Sequence, residues 1–336
     1  MDNRITKKRL SAFLSYEWIL VIVICVAMVA VWELIYTVAS VKLSVGQRFK
    51  YYFDVNVFGS DVAVEKTIDD DSVFSYDVLE YSGEQLSTAY NVLANRLATY
   101  DGDVMFTDCR DNSTAEEKKE IRAKFVVDNY YGYSFEVLLK DAQNYLLENF
   151  MKDGLTAEKV FSEYNLNNFD RAKIEQTFRN RMKKDNRFRK EADIQNGVGL
   201  EQYRVQKLYA EVIDFSKLLS LKETHPDLFM VYTMYEQSIE FPGKIDVEYF
   251  KRQYQKEIDA GRVNQIYALK LDALAKYKTG NTKTDPSNYV VYYGEYTAKD
   301  VCITVLDFKS EQPHLQFETI SFINAIVRDC SNLLDA

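Results

Sequence analysis

The sequence predicts a mixed α/β protein: an N-terminal transmembrane helix, then an α/β body with an enlarged helical lobe. Three observations carry this. Residues 18–41 form a nearly unbroken apolar run, residues 73–107 read as strand, helix, strand, and residues 113–240 are poor in glycine and rich in helical faces. The plan is a cytoplasmic tail at 1–17, a transmembrane helix at 18–41, α/β segments at 42–112 and 241–336, and a mainly helical lobe or insertion at 113–240. At 336 residues the chain has room for one large two-lobed domain or two domains.

The apolar run comes first. Residues 19–32 contain no polar side chain, and about 20 such residues cross a ~30 Å hydrocarbon core as a helix. Trp18 stands at one end and Trp32 and Tyr36 toward the other, as interfacial anchors do. Glu33 lies in the outer third, where a carboxylate reaches the headgroups. Arg4, Lys7, Lys8 and Arg9 precede the span, which favours a cytoplasmic N-terminus. Everything after it is then extracytoplasmic, in a single-pass protein of the cell membrane. A cleaved signal peptide is the competing reading, with Thr37-Val38-Ala39 as a small-residue site. The run exceeds a usual signal core, so a retained anchor is expected.

Residues 47–58 are aromatic and β-branched and read as one strand, with 61–67 pairing back onto it. Residues 73–81 read as a second strand, broken by Ser82-Gly83. Residues 84–99 carry Leu86, Ala89, Tyr90, Leu93, Ala94 and Leu97 on one helical face. Residues 103–107 are a short strand, which makes a βαβ unit with parallel strands. Farther on, Phe135, Leu138, Leu139, Ala142, Tyr145, Leu146 and Phe150 share a helical stripe. Helices are expected from Thr156, from Asn168 or Asp170, and over 200–219. Residues 246–260 read as helix, 262–271, 289–293 and 300–307 as strands, and 316–334 as a closing helix.

Composition narrows function. The net charge of −9 argues against a general nucleic-acid binder. Two histidines, His225 and His314, have no metal-ligand spacing, and there is no phosphate-binding or nucleophile motif, so neither enzyme nor cofactor is expected. Asp101, Asp103, Asp108 and Asp111 cluster without the glycine and distal glutamate of a calcium loop, and read as a strand-end turn. Arg179, Arg181, Lys183, Lys184, Arg187, Arg189 and Lys190 form a basic run. Such a run either docks an anionic partner, a lipid headgroup or wall polymer, or makes a solvated helix face. Beyond the span, Cys109, Cys302 and Cys330 are odd in number, so at most one internal bridge forms. Cys302 and Cys330 are expected as buried free thiols.

The stretch VLEYSGEQLSTAYNVLANRLATYDGDVMFTD at 78–108 resembles the first lobe of extracellular solute-binding proteins of the type II periplasmic-binding fold. The stretch GRVNQIYALKLDAL at 261–274 is similar to that family's strand re-entering the core after the lobe crossing, and 316–334 to its closing helix. The closer match covers about 30 residues, the looser one perhaps a third of the chain. The chain departs from the family in having a span where Gram-positive members are usually lipoproteins, and in lacking a full helix between 59 and 72. Both tryptophans lie in the span, which removes a tryptophan-lined sugar cleft.

The resemblance implies a two-lobed body that binds a small solute at the C-terminal ends of strands and closes by a hinge. The positions it implies are Phe58, Gly59 and Ser60, then Tyr81, Ser82 and Gly83, then Thr107 and Asp108, with Tyr292 and Tyr293 from the second lobe. The implied partners are the bilayer through 18–41, a solute, and a transporter permease or other envelope protein. The alternative is an envelope scaffold of the same fold that binds a protein rather than a solute.

Overall fold

A computed structural model describes residues 7, 11, 15, 18–39, 48–54, 57–59, 64, 66–68, 73–74, 80–86, 102–109, 132–183, 185–231, 265–280, 283–292, 295–306 and 317–335. The first unit, Met1–Ser44, contains helix α1, Trp18–Ala39. Within it Trp18–Tyr36 is long and apolar enough to cross a membrane, and none of it is buried. The same property fits an anchor or a signal sequence.

The second unit is the body, Val45–Ala336. Its main sheet begins with β1, Arg48–Phe53, in which Phe49, Tyr51 and Phe53 share one face and Tyr52 takes the other. Strand β2, Val57–Gly59, leaves for a second sheet. Strands β3, Glu80–Gln85, and β4, Val104–Asp108, run parallel to β1 on either side of it. The strand expected at 73–81 lies instead at 80–85, residues 73–74 not being strand, and it runs parallel to β4 with β1 between them.

The remaining strands are β5, Gly132–Tyr133; β6, Phe229–Val231; β7, Ile266–Lys270; β8, Val290–Tyr292; β9, Glu295–Tyr296; and β10, Val301–Leu306. The main sheet has the order β3-β1-β4-β10-β7-β6, with β5 also paired to β10. Strand β10 is antiparallel to both β4 and β7. Strands from 42–112 and from 241–336 thus share one sheet. A smaller sheet has the order β2-β8-β9.

Among the described residues, longer α-helical elements of the body are α2, Phe135–Phe150; α3, Ala157–Phe161; α4, Arg171–Met182; α5, Glu191–Ser220; α6, Leu271–Leu274; and α7, Phe317–Cys330. The predicted stripe of α2 is borne out: Phe135, Leu138, Ala142, Leu146 and Phe150 are buried. Asp170 caps α4, its carboxylate accepting from the Ala172 and Lys173 amides. The closing helix packs into the sheet, its Phe322 ring 4.9 Å from that of Phe49. Its Ile320, Phe322, Ile323, Ile326 and Val327 are fully buried, each contributing at most about 1.5–3 kcal/mol. Phe49, Tyr51, Phe53, Val104, Phe106 and Ile303 belong to the same continuous core as α2, α4 and α5.

Three sequence expectations change. Ser82-Gly83 does not break a strand; both lie inside β3. A Cβ on Gly83 would sit 2.4 Å from the Tyr51 ring, so glycine is there to let β3 approach β1 under that ring. Residues 84–86 of the predicted helix are not helical, and 87–99 lie outside the described residues. Residues 47–58 are two strands in two sheets, and Val64 and residues 66–68 are helical rather than a returning strand. The predicted helix at 246–260 lies outside the described residues.

Candidate functional site

Parallel strands that share a direction end at one edge, and the connections leaving them gather there. Strands β3, β1 and β4 end at Gln85, Phe53 and Asp108. Asp54 follows β1 directly, and its amide donates to the Phe106 carbonyl at 3.0 Å, which keeps it beside β4.

The side chains at this edge bond to one another. The Thr107 hydroxyl donates to the Asp54 carboxylate at 2.9 Å. The Gln85 side-chain amide donates to the Asp54 carbonyl at 2.7 Å. Asp54, Thr107 and Asp108 are all buried. Asp108 pairs with Val301 of β10, and the Cys109 amide donates to the Asp300 carbonyl at 2.8 Å. Asp300 has φ 63°, a left-handed conformation that turns the chain at the head of β10. The thiol of Cys302, on β10, is pushed well above the ordinary cysteine range by burial and by the neighbouring Cys109 thiol.

Asp54, Thr107 and Gln85 thus meet at one end of the parallel strands, while Asp108, the next residue of β4 after Thr107, faces the other side of the sheet. Among the described residues no group of three or more histidine, cysteine, aspartate or glutamate side chains converges as a metal site.

Of the implied ligand residues, Thr107 and Asp108 lie at this edge. Tyr81 and Ser82 do not, because β3 runs on to Gln85 and leaves them in its first half. Phe58 is on β2, 49% exposed, and Tyr292 is on β8, opposite Val57. Ser60 and Tyr293 lie outside the described residues. Of the acidic cluster, Asp103 is at the opposite end of β4, where its carboxylate accepts from the Lys50 amide at 2.9 Å, so it does not converge with Asp108. Asp101 and Asp111 lie outside the described residues.

Three arginines of the basic run, Arg179, Arg181 and Arg187, form ion pairs. Arg179 binds Glu175 and Glu191, and these hydrogen bonds raise its pKa. Arg181 reaches the fully buried Glu201 at 2.5 Å. Arg187 binds Asp185 at 2.7 Å and holds that carboxyl below its ordinary value. Lys183, Arg189 and Lys190 are exposed, and Lys184 lies outside the described residues. His225 stands at the start of a short 3-10 turn, as a turn histidine, with Tyr277 against its ring at 4.7 Å. His314 lies outside the described residues.

Sequence reasoning missed Asp54 and Gln85. The available signal was an acid directly following the aromatic run at 51–53, which the β1–β4 register sets level with Thr107. No protein-family profile, no curated protein and no solved structure matches the chain.

Proposed function

We propose that the chain is a membrane-anchored, extracytoplasmic, non-catalytic binding protein that takes a small polar solute at the β3-β1-β4 edge. The observation that carries this is the meeting of Asp54, Gln85 and Thr107 at the C-terminal ends of parallel strands, with Asp108 ending β4 beside them. Helix α1 is the anchor, with the N-terminus on the cytoplasmic side. Strand β7 supports the periplasmic-binding-like reading, since Ile266, Tyr267, Ala268 and Leu269 bury themselves in the sheet where a re-entering strand was expected. In this proposal the sheet and the helical segment supply the two lobes. Because they share one core, closure over the solute is a movement of loops rather than a wide hinge rotation.

The test is a thermal-shift screen of the full chain in detergent against sugars, amino acids, short peptides and phosphorylated solutes. A solute at 100-fold its dissociation constant stabilises by about 2.7 kcal/mol, enough to move the midpoint by a few degrees. Loss of that shift in Asp108→Ala supports the edge.

A second reading has its own observation. Phe58, Val291 and Tyr296 stand in register across β2, β8 and β9, with Phe58 49% and Tyr296 74% exposed. An exposed aromatic row of this kind suits a protein partner, such as a transporter permease or another envelope protein, and fits the scaffold alternative. A flat solute screen together with capture of such a partner, lost in Phe58→Ser, would favour it.

A further inference from the structure

We propose that Cys109 and Cys302 form a disulfide bond that ties the end of β4 to β10. The proposal rests on the extracytoplasmic placement of the body, where an oxidant is at hand. The sheet register sets Cys302 opposite Thr107. Cys109, two residues farther along, therefore faces the same side of the sheet. Its side chain, that of Cys302 and Ala268 form a small buried cluster apart from the main core, with Met230 against them. The Cys109 amide donates to the Asp300 carbonyl at 2.8 Å, which continues the ladder by one pair and holds Cys109 diagonal to Cys302 on the same face.

The other two cysteines have different surroundings. Cys25 is exposed on α1. Cys330 is buried beside Tyr289 and Asp329, and its thiol is pushed up mainly by that burial. The structure holds Cys302 and Cys330 as buried free thiols, as expected, and the proposed pairing is the oxidised form of the strand-end Cys109 and its neighbour.

The chemistry is thiol–disulfide exchange with a small-molecule or enzyme disulfide as oxidant. Cys109 is 7% exposed and Cys302 fully buried, so the oxidant meets Cys109 first. The Cys109 thiolate attacks one sulfur of the oxidant, a mixed disulfide forms, and the first thiolate leaves. The Cys302 thiolate then attacks the Cys109 sulfur, the mixed disulfide breaks, and the second thiolate leaves. The two cysteines lose two electrons and two protons, and the oxidant becomes two thiols. The raised Cys302 thiol makes the second step slow in the folded chain, so the bridge closes most readily as the chain folds.

The experiment uses the full chain in two forms. Cells are quenched in acid, free thiols are alkylated, and the protein is digested without reductant for mass spectrometry. In parallel, purified chain is unfolded and refolded in oxidised glutathione and treated identically. The expected result in both is one linked peptide pair carrying Cys109 and Cys302, with label on Cys25 and Cys330, and a melting midpoint that falls on reduction. Label on all four cysteines of the refolded chain, or a bridge to Cys330, overturns the pairing. A bridge in the refolded chain with four labelled cysteines in cells upholds the pairing and overturns the extracytoplasmic placement on which it rests.

Discussion

The Thr107 hydroxyl donates to the Asp54 carboxylate at 2.9 Å, across 53 residues of sequence, and joins the end of β4 to the end of β1. Both groups are buried, so neither has bulk water as an equivalent partner. Thr107→Val removes the donor and leaves the carboxylate under-satisfied, at a cost of about 1–3 kcal/mol. Asp54→Asn keeps an acceptor and is expected to cost less. Chemical denaturation of the two variants measures this, and equal costs would contradict the assignment.

Arg181 and Arg187 belong to the same basic run and differ in what they pair with. Arg181 neutralises Glu201, whose side chain is 0% exposed, while Arg187 pairs with Asp185 near the surface. Removing Arg181 strands a buried carboxylate. Arg204 remains 3.9 Å from it, so Arg181→Ala should fall below the ~3–5 kcal/mol of a fully severed buried pair. Arg187→Ala is expected to change stability by less than about 1 kcal/mol. A vesicle-binding assay gives the complementary check. If the run chiefly forms internal pairs, charge reversal at Arg187 leaves binding to anionic vesicles unchanged.

Gly83→Ala tests the close approach of β3 to β1. The new methyl would meet a carbon of the buried Tyr51 ring at 2.4 Å, although Gly83 itself is exposed. Overpacking of this kind costs about 1–3 kcal/mol. Thermal melts of Gly83→Ala in the wild-type and Tyr51→Leu backgrounds should show the penalty shrink when the ring is gone.

Tyr289 predicts the alkaline limb of stability. Burial raises its phenol above the ordinary tyrosine value, and the neighbouring Cys330 and Asp329 add to the effect. The folded state therefore holds the proton more tightly than the unfolded chain. The associated stability is complete below the unfolded pKa of ~10 and is lost as pH rises above it, at about 1.4 kcal/mol per pH unit for one proton. Tyr289→Phe also loses the hydroxyl's contacts with Thr67 at 2.9 Å and Asp329 at 3.0 Å. The variant should be less stable than wild type at pH 7, with the gap closing toward pH 11. Denaturant midpoints across that range decide it.

Local pattern made much of this body legible. The α2 stripe, the Asp170 cap and the strands at 104–108, 266–270 and 301–306 follow from periodicity and capping chemistry that neighbours in sequence determine. What was not legible depends on distant partners. Gly83 reads as a breaker until Tyr51 is placed over it. Residues 57–59 read as more of β1 until β8, far along the chain, pairs with them. Asp54 reads as a stray acid until β4 lies alongside and sets Thr107 against it. The basic run reads as a charged face until Glu201 on α5 is seen beneath Arg181.

The central claim is that a solute binds where β1 and β4 end. Hydrogen exchange on the full chain in lipid nanodiscs, with and without the stabilising solute pools, tests it most directly. The account predicts added protection at the amides around Asp54, Asp108 and Cys109. Stabilisation with protection confined to other elements, or no protection from any pool, would contradict it.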